Sequence, residues 1–408
     1  VKPHIFVTHS YFDGYAHHDN GPYSILVKDG LIEDIVPEDA TAPGFSPDAA
    51  WPATETETVK ASFLMPGLVE AHCHLFLDGG ELDFKKRSAY LKSSFDEMIG
   101  SARLNLTRNM DAGITLMRDA GDSHGINHLI KEEVEADPEC NVNLLSAGAG
   151  IRMKKRYGSF FAQEVADEEE IVATIRKIAP TIDQLKIVMT GIIDFEKGIM
   201  KGGPQFTLDE AKLIVQTAKE EGLLTFAHCS GEDGLEISVE AGINCIEHGF
   251  FMNRTILEQM AEKRIAWTPT FSPVDFQYER PELAGWDEDT CGRLRAILDN
   301  HDERAVEAYE VGVPVITGSD SGSYGVVHGE APIDELFYLH KAGATVTQVL
   351  TSGTSLPREL WGCSSANVEK GNAADFVLLD GSPYDSLEHV RKPQAVFLGE
   401  LRKLGEDE

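Results

Sequence analysis

LMPGLVEAHCH, residues Leu64–His74, is an apolar run that ends on two histidines one residue apart. Side chains alternate along an extended strand, so His72 and His74 share one side and Cys73 takes the other. Seven further short apolar runs follow: Ile114–Asp119, Asn141–Ser146, Leu185–Thr190, Leu223–His228, Asn244–His248, Ile265–Thr270 and Val313–Asp320. Longer amphipathic stretches with helical spacing lie between them, such as Leu208–Glu221 (LDEAKLIVQTAKEE) and Glu303–Val311. Eight strand–helix units in about 300 residues fit an α/β fold of the closed (β/α)₈, TIM-like barrel type. An open doubly wound sheet is the alternative, but no glycine fingerprint follows the first run.

The two ends of the chain read differently. Pro3–Thr8, Ser24–Lys28 and Leu31–Val36 are strand-like, broken by Asp29-Gly30 and by a Pro/Ala/Thr-rich loop. Ala374–Asp380 (ADFVLLD) and Gln394–Leu398 (QAVFL) have the same character. Residues 1–62 and 363–408 are therefore expected to build one small β-sandwich domain from both chain ends. The catalytic barrel, 63–362, is inserted between them.

With 42% hydrophobic residues, the 408-residue chain can bury a sizeable core. Its 68 acidic and 36 basic residues leave a formal net charge of -32. Such a surface repels phosphate backbones and anionic membranes, so neither nucleic acid nor a membrane is an expected partner. Solubility, or adaptation to salt, is the plain reading of the acidity. The six cysteines form no CxxC pair and sit mostly in apolar runs, as free thiols of a reducing compartment do. Cys73 and Cys245 flank histidines and are expected to point toward the helices as core packing. VKPHIFVTHS has no leader-like pattern, and no apolar run reaches spanning length. A cytoplasmic location is expected, with a removed leader left open. A ring of outer helices also suits a homo-oligomer.

Barrels of this type carry their active sites at the C-terminal strand ends. Those ends supply His72 and His74 (VEAHCH), His228 (FAHC), His248 (CIEHG) and Asp320 (TGSD). Imidazole and carboxylate are the usual ligands of zinc and similar ions. A single such histidine is more often a core or surface residue; five ligands at matching strand ends are not a chance pattern. Lys186, in QLKIVMTG, lies among apolar neighbours. A buried ammonium is costly and would be repelled by metal cations. Either it pairs with a buried acid, or it is neutralised and converted by CO₂ to an anionic carbamate that bridges two metals.

Taken in order, MPGLVEAHCH (65–74), MRDAG (117–121), LKIVMTG (185–191), FAHCSGEDG (226–234), IEHG (246–249), TPT (268–270), TGSDSG (317–322) and GNAADFVLLDGSP (371–383) span nearly the whole chain. Together they resemble the binuclear branch of the amidohydrolase superfamily, nearest its imidazolonepropionase-like and prolidase-like members. The resemblance implies two divalent metal ions, zinc before others, with a CO₂-derived carbamate on Lys186. One ion would be held by His72, His74, Lys186 and Asp320, the other by Lys186, His228 and His248. It also implies hydrolysis of a C–N bond in a small amide, peptide-like or carbamate substrate, such as a dipeptide or N-acyl amino acid. Two metals sharing a water make hydroxide available near neutral pH, and the second can stabilise the tetrahedral oxyanion. Asp320 would be both a ligand and the catalytic proton shuttle, against the blander reading of a ligand alone.

The stretch AGAGIRMKKRYGSFF (147–161) gathers Arg152, Lys154, Lys155 and Arg156 in an acidic chain. It is either a loop that binds a substrate carboxylate or a solvated loop paired with surface acids. Tyr157 stands where prolidase-like relatives carry the histidine of a Gly-Gly-His-Gly segment. Cys229-Ser230 stands where carboxypeptidase-like members carry tyrosine. Both departures count against dipeptidase specificity. Arg152, Tyr157 and His328 (VVHG) are the candidate substrate-binding residues; His124, Tyr278 and Arg280 have only position in their favour. Two rival readings are a mononuclear deaminase of a heterocyclic amine and a non-catalytic barrel scaffold. The deaminase would want a His-x-x-Glu spacing, and Glu232 lies too far along. A scaffold would be expected to lose ligands.

Overall fold

The Asp29-Gly30 pair turns the chain back on itself. Both residues have positive φ (51° and 76°) and join strands Tyr23–Lys28 and Leu31–Pro37 in a two-residue hairpin. These strands belong to a computed structural model that describes residues 2–37, 56–137 and 140–404. The Pro/Ala/Thr-rich loop between residues 37 and 56 lies outside the described residues.

Both chain ends feed one eight-stranded sheet. Its order is Glu400–Lys403, Ala395–Leu398, Asp375–Leu379, Glu57–Pro66, His4–Phe12, Tyr23–Lys28 and Leu31–Pro37, with His17–His18 added on His4–Phe12. The strands are hydrogen-bonded into a single continuous sheet. Glu57–Pro66 is the reason: it pairs in parallel with His4–Phe12 on one side and antiparallel with Asp375–Leu379 on the other. The two ends therefore continue one another through it. Phe6 packs edge-on against Phe397 and Phe376, with centroids 4.9 and 5.4 Å apart, in the core beneath this sheet.

Leu64 to Pro66 belong to that sheet, so the first strand of the parallel layer is shorter than expected and spans Leu68–Cys73. Gly67 is the joint. A Cβ there would lie 2.0 Å from Thr115 Oγ1 and 2.1 Å from Asp375 Oδ1, so only glycine fits. Leu68–Cys73, Ile114–Asp119 and Asn143–Ser146 form one parallel sheet. Ala162–Val165, Gly150–Met153, Gln184–Val188, Leu224–Cys229, Cys245–His248 and Ala266–Thr268 form another. Among the described residues the eighth expected strand, Val313–Asp320, makes one isolated bridge, at Val315 with Trp267, and Ser321 just beyond it bridges Cys73. Its segment still runs between the last and first parallel strands. Ile316 donates to Trp267 O, Ala71 donates to Thr317 O and Asp320 donates to His72 O.

The helices alternate with these strands. Leu208–Glu220 begins at a Thr207/Glu210 capping box, and Glu303–Val311 forms the end of the 24-residue helix Glu288–Val311. All six cysteines are free thiols. Among the described residues no helix is long and apolar enough to cross a membrane.

Arg358, on helix Ser355–Trp361, fastens the layers together. It donates to Asp375 Oδ2 (2.6 Å), Thr115 Oγ1 (2.7 Å) and Gly67 O (3.1 Å). Both ionic partners are buried. Arg358→Ala would strand the Asp375 carboxylate and is expected to destabilise the fold by about 3–5 kcal/mol. Urea denaturation would read this as a lower midpoint; an unchanged midpoint would mean the pair does not hold the layers.

Candidate metal centre

His72, His74, Lys186, His228, His248 and Asp320 all line one cavity of about 700 Å³ at the C-terminal ends of the parallel strands. The ligand atoms of His72, His74 and Asp320 lie within 4.8 Å of one another. Asp320 Oδ1 is 3.6 Å from Nε2 of both His72 and His74. Next to them, His228 Nδ1 is 2.8 Å from His248 Nε2. The fold thus gathers all six expected metal-site residues.

The outer nitrogen of each ring has a partner that fixes its role. His72 Nδ1 faces Glu247 Oε2 at 2.6 Å, and His74 Nδ1 faces Gly121 O at 2.9 Å. His228 Nε2 faces Gly191 O at 2.9 Å. A carboxylate or carbonyl only accepts, so each of these nitrogens carries the proton and the other turns a lone pair into the cavity. His248 Nδ1 meets the Thr270 hydroxyl at 2.7 Å, which can donate or accept. Without an ion His248 Nε2 can donate to His228 Nδ1; with one, Thr270 accepts and both lone pairs are free. Burial, first of all, holds the four rings below the usual histidine pKa: His74 at about 3, His228 at about 4, His72 and His248 well below normal. Neutral imidazoles with inward lone pairs and one carboxylate are the donor set of a divalent cation.

Strained backbone turns these side chains inward. His248, Thr270 and Asp320 all have positive φ (69°, 50° and 58°), rare for residues with a branched or bulky side chain. At His248 this breaks strand alternation. Glu247 and Cys245 take the inner face, Ile246 joins the helix-facing core, and His248 still reaches His72, with ring centroids 5.1 Å apart. Cys245 therefore does not point toward the helices as expected. Its Sγ lies 3.4 Å from Thr268 Oγ1 and 3.9 Å from an Arg118 nitrogen. Cys73 does pack in the helix-facing core.

Among the described residues Lys186 makes no direct ion pair. Its Nζ is 3.4 Å from His72 Nε2 and 4.9 Å from the centre of the Phe226 ring. Burial, above all, pushes its pKa down to about 8. Glu247 and Asp320 stand near enough to favour its charge, without an ion pair to either. Burial likewise raises Asp320 to about 6, and its Oδ2 accepts from Ser323 Oγ at 2.8 Å.

The amidohydrolase family model matches residues 63–402. The chain belongs to the amidohydrolase family. An uncharacterized protein of Mycobacterium tuberculosis is 29% identical over 303 residues, 73% of this chain and 75% of that one. Ochratoxinase of Aspergillus niger is 22% identical over 373 residues, 83% of this chain and 74% of that one. The ochratoxinase crystal structure matches with a TM-score of 0.79 at 19% identity, over 100% of this chain and 98% of that one. A Xaa-Pro dipeptidase with methionine bound in its active site matches with a TM-score of 0.80 at 20% identity, over 98% of this chain and 100% of that one. These structural likenesses concern the fold. As an amidohydrolase, the protein is a hydrolase acting on carbon–nitrogen bonds.

Of the three expected substrate residues, this amidohydrolase brings Tyr157 alone to the cavity. Its ring centroid is 5.5 Å from that of His228, and its hydroxyl has no partner among the described residues. Arg152 lies in strand Gly150–Met153, not in a loop, and pairs in register with Glu164. Its guanidinium donates to Glu164 Oε1 (2.7 Å), Arg156 O (2.8 Å) and Ala162 O (3.3 Å), outside the cavity lining. Lys154, Lys155 and Arg156 are exposed. His328 is buried, 3.5 Å from Asn109 Nδ2, and does not line the cavity. Neither do His124, Tyr278 and Arg280. Glu232, the residue a deaminase would need, is bonded to Asn253 outside it.

Sequence reading missed Glu247 and Arg118, although each is a charge in an otherwise apolar strand run, Arg118 directly before Asp119. Glu247 accepts from Arg118 at 2.7 Å while holding His72 at 2.6 Å. Partners of this kind usually tune affinity by about 10–100-fold. Glu247→Gln is expected to weaken zinc binding by about that factor in a chelator competition. Wild-type affinity would show that His72 needs no such support.

Proposed function

We propose that this protein is a binuclear metal-dependent hydrolase of a small amide, peptide-like or carbamate substrate, built on a closed (β/α)₈ barrel. One observation carries the reading: three imidazoles held by obligate acceptors, and a fourth by a hydroxyl, all turn toward one cavity shared with Asp320 and Lys186. His72, His74 and Asp320 would hold one divalent ion, zinc before others, and His228 and His248 the second. Lys186, its pKa depressed by burial, would take up CO₂ as a carbamate and join the two. When bound, such ions lower the pKa of a water and polarise the scissile carbonyl.

The chain's own groups do the rest. Asp320 takes the proton of the attacking water and delivers it to the leaving nitrogen. Ser323 holds the Asp320 carboxylate by its second oxygen while this happens. The Tyr157 hydroxyl, without a partner among the described residues, is placed to donate to a substrate oxygen. The rings of Tyr157, Phe160 and Phe161 exclude water beside it.

Two variants test this reading. Lys186→Ala is expected to lose bound zinc, measured by elemental analysis, together with the ¹³C signal that labelled bicarbonate gives a lysine carbamate. Full zinc content and activity in that variant would overturn the bridging role. Asp320→Asn is expected to lower kcat by about 10²–10⁴-fold when acid and amine products are followed by mass spectrometry. Wild-type turnover would remove Asp320 as the shuttle.

A further inference from the structure

Above its polar floor the cavity is walled by rings. Phe161 stands 5.5 Å from His74, and Phe160 packs on Phe161 at 4.6 Å. At the rim Phe84 stacks on Tyr324, 4.5 Å apart and 17° from parallel. Phe84 opens the helix Phe84–Tyr90, none of whose residues is buried, and is itself 53% exposed. A large ring left this open on a concave site is surface that an apolar ligand would cover.

The cations along the wall are already committed. The Arg87 guanidinium donates to the carbonyls of Asp78, Glu81 and Gly322. Lys86 is 3.6 Å from Glu81, and its side chain is 71% exposed. Lys186 sits among the metal-site residues at the floor. Arg152, the best candidate for a carboxylate clamp, is bonded to Glu164 outside the cavity. Asp78, Glu81 and Glu97 line the same wall, in a chain of net charge -32. A carboxylate remote from the scissile bond would meet negative charge and no free buried cation.

We propose that the substrate is a neutral amide or carbamate whose aromatic group lies against Phe84, Tyr324 and Phe160, not a peptide with a free carboxylate. This rests on the hydrolase reading above. The step itself is ordinary hydrolysis. Water oxygen bonds to the carbonyl carbon, the C–N bond breaks, and the water proton passes to the departing nitrogen. An aromatic amide yields an acid and a neutral aromatic amine.

The test separates recognition from turnover. Phenylacetone is the methylene isostere of acetanilide and cannot be hydrolysed at that bond. Its binding to the zinc-loaded full-length chain is measured by calorimetry beside its 4-carboxy derivative and butanone. Phenylacetone is expected to bind about tenfold or more tightly than either, and Phe84→Ala to lose most of that margin. Tighter binding of the carboxylated ligand, abolished by Lys86→Ala, would overturn the proposal. So would equal binding of butanone, an unchanged Phe84→Ala, or no binding of phenylacetone. Turnover of acetanilide against 4-acetamidobenzoate is then followed for acid and amine. Expected binding without hydrolysis of any amide supports this assignment of the wall and counts against the hydrolase reading alone.

Discussion

A single guanidinium buried inside the parallel strands, that of Arg118, organises the floor of the site. It donates to Ala71 O on strand Leu68–Cys73, Gln184 on Gln184–Val188 and Glu247 on Cys245–His248. The Phe226 and Trp361 rings close over it at 4.1 and 4.7 Å. An arginine so desolvated is tolerable only with its charge answered and its donors used. Glu247 answers the charge, and its second oxygen then has one geometry left, against His72 Nδ1. The orientation of the His72 ring is thus inherited from an ion pair deeper in the fold. The neighbouring strand is held in the same way by Glu70, which accepts from the His72 and Ser319 amides.

The same logic, with carbonyls in place of a carboxylate, holds His74 and His228. His248 and Asp320 are aimed by backbone strain. Positive φ at His248 and Asp320 is unfavourable alone and persists where surrounding hydrogen bonds overdetermine it. Asp320 N donates to His72 O, and the Trp267 indole donates to His248 O. Strain, ion pair and tautomer therefore meet within one small volume. A floor built this way is preorganised, which is what stabilising charge in a transition state requires.

The wall above the floor follows a different rule. Arg152 carries the type of charge that recognises a carboxylate, yet its fork is used to fasten two strands. Arg87 is likewise spent on three backbone carbonyls. What remains facing the cavity includes the rings of Phe84, Tyr157, Phe160, Phe161 and Tyr324, with Asp78, Glu81 and Glu97 among them. Apolar walls over a polar floor favour a ligand that is neutral at one end and reactive at the other. The change from a basic loop to a paired strand thus bears directly on which molecules the site can hold.

Much of this was legible in the sequence, and for a definite reason. Strands of a parallel layer are apolar throughout, so a histidine, aspartate or lysine at the end of such a run stands out against its neighbours. His72, His74, Lys186, His228, His248 and Asp320 were each visible in this way, and alternation correctly put His72 beside His74. Alternation fails at Cys245, because only the three-dimensional turn at His248 tells which face the strand presents. Gly67 and the start of the first parallel strand were hidden too, because Leu64–Pro66 suit either sheet until Asp375–Leu379 is seen to pair with them. The fate of Arg152 was undecidable, since Gly150–Met153 becomes a strand only by meeting Ala162–Val165. The sequence by itself determined which chemical groups are present and that they sit at strand ends, because local pattern encodes both. Only the tertiary structure decided which charges are consumed inside the protein and which face a ligand, because that depends on partners distant along the chain.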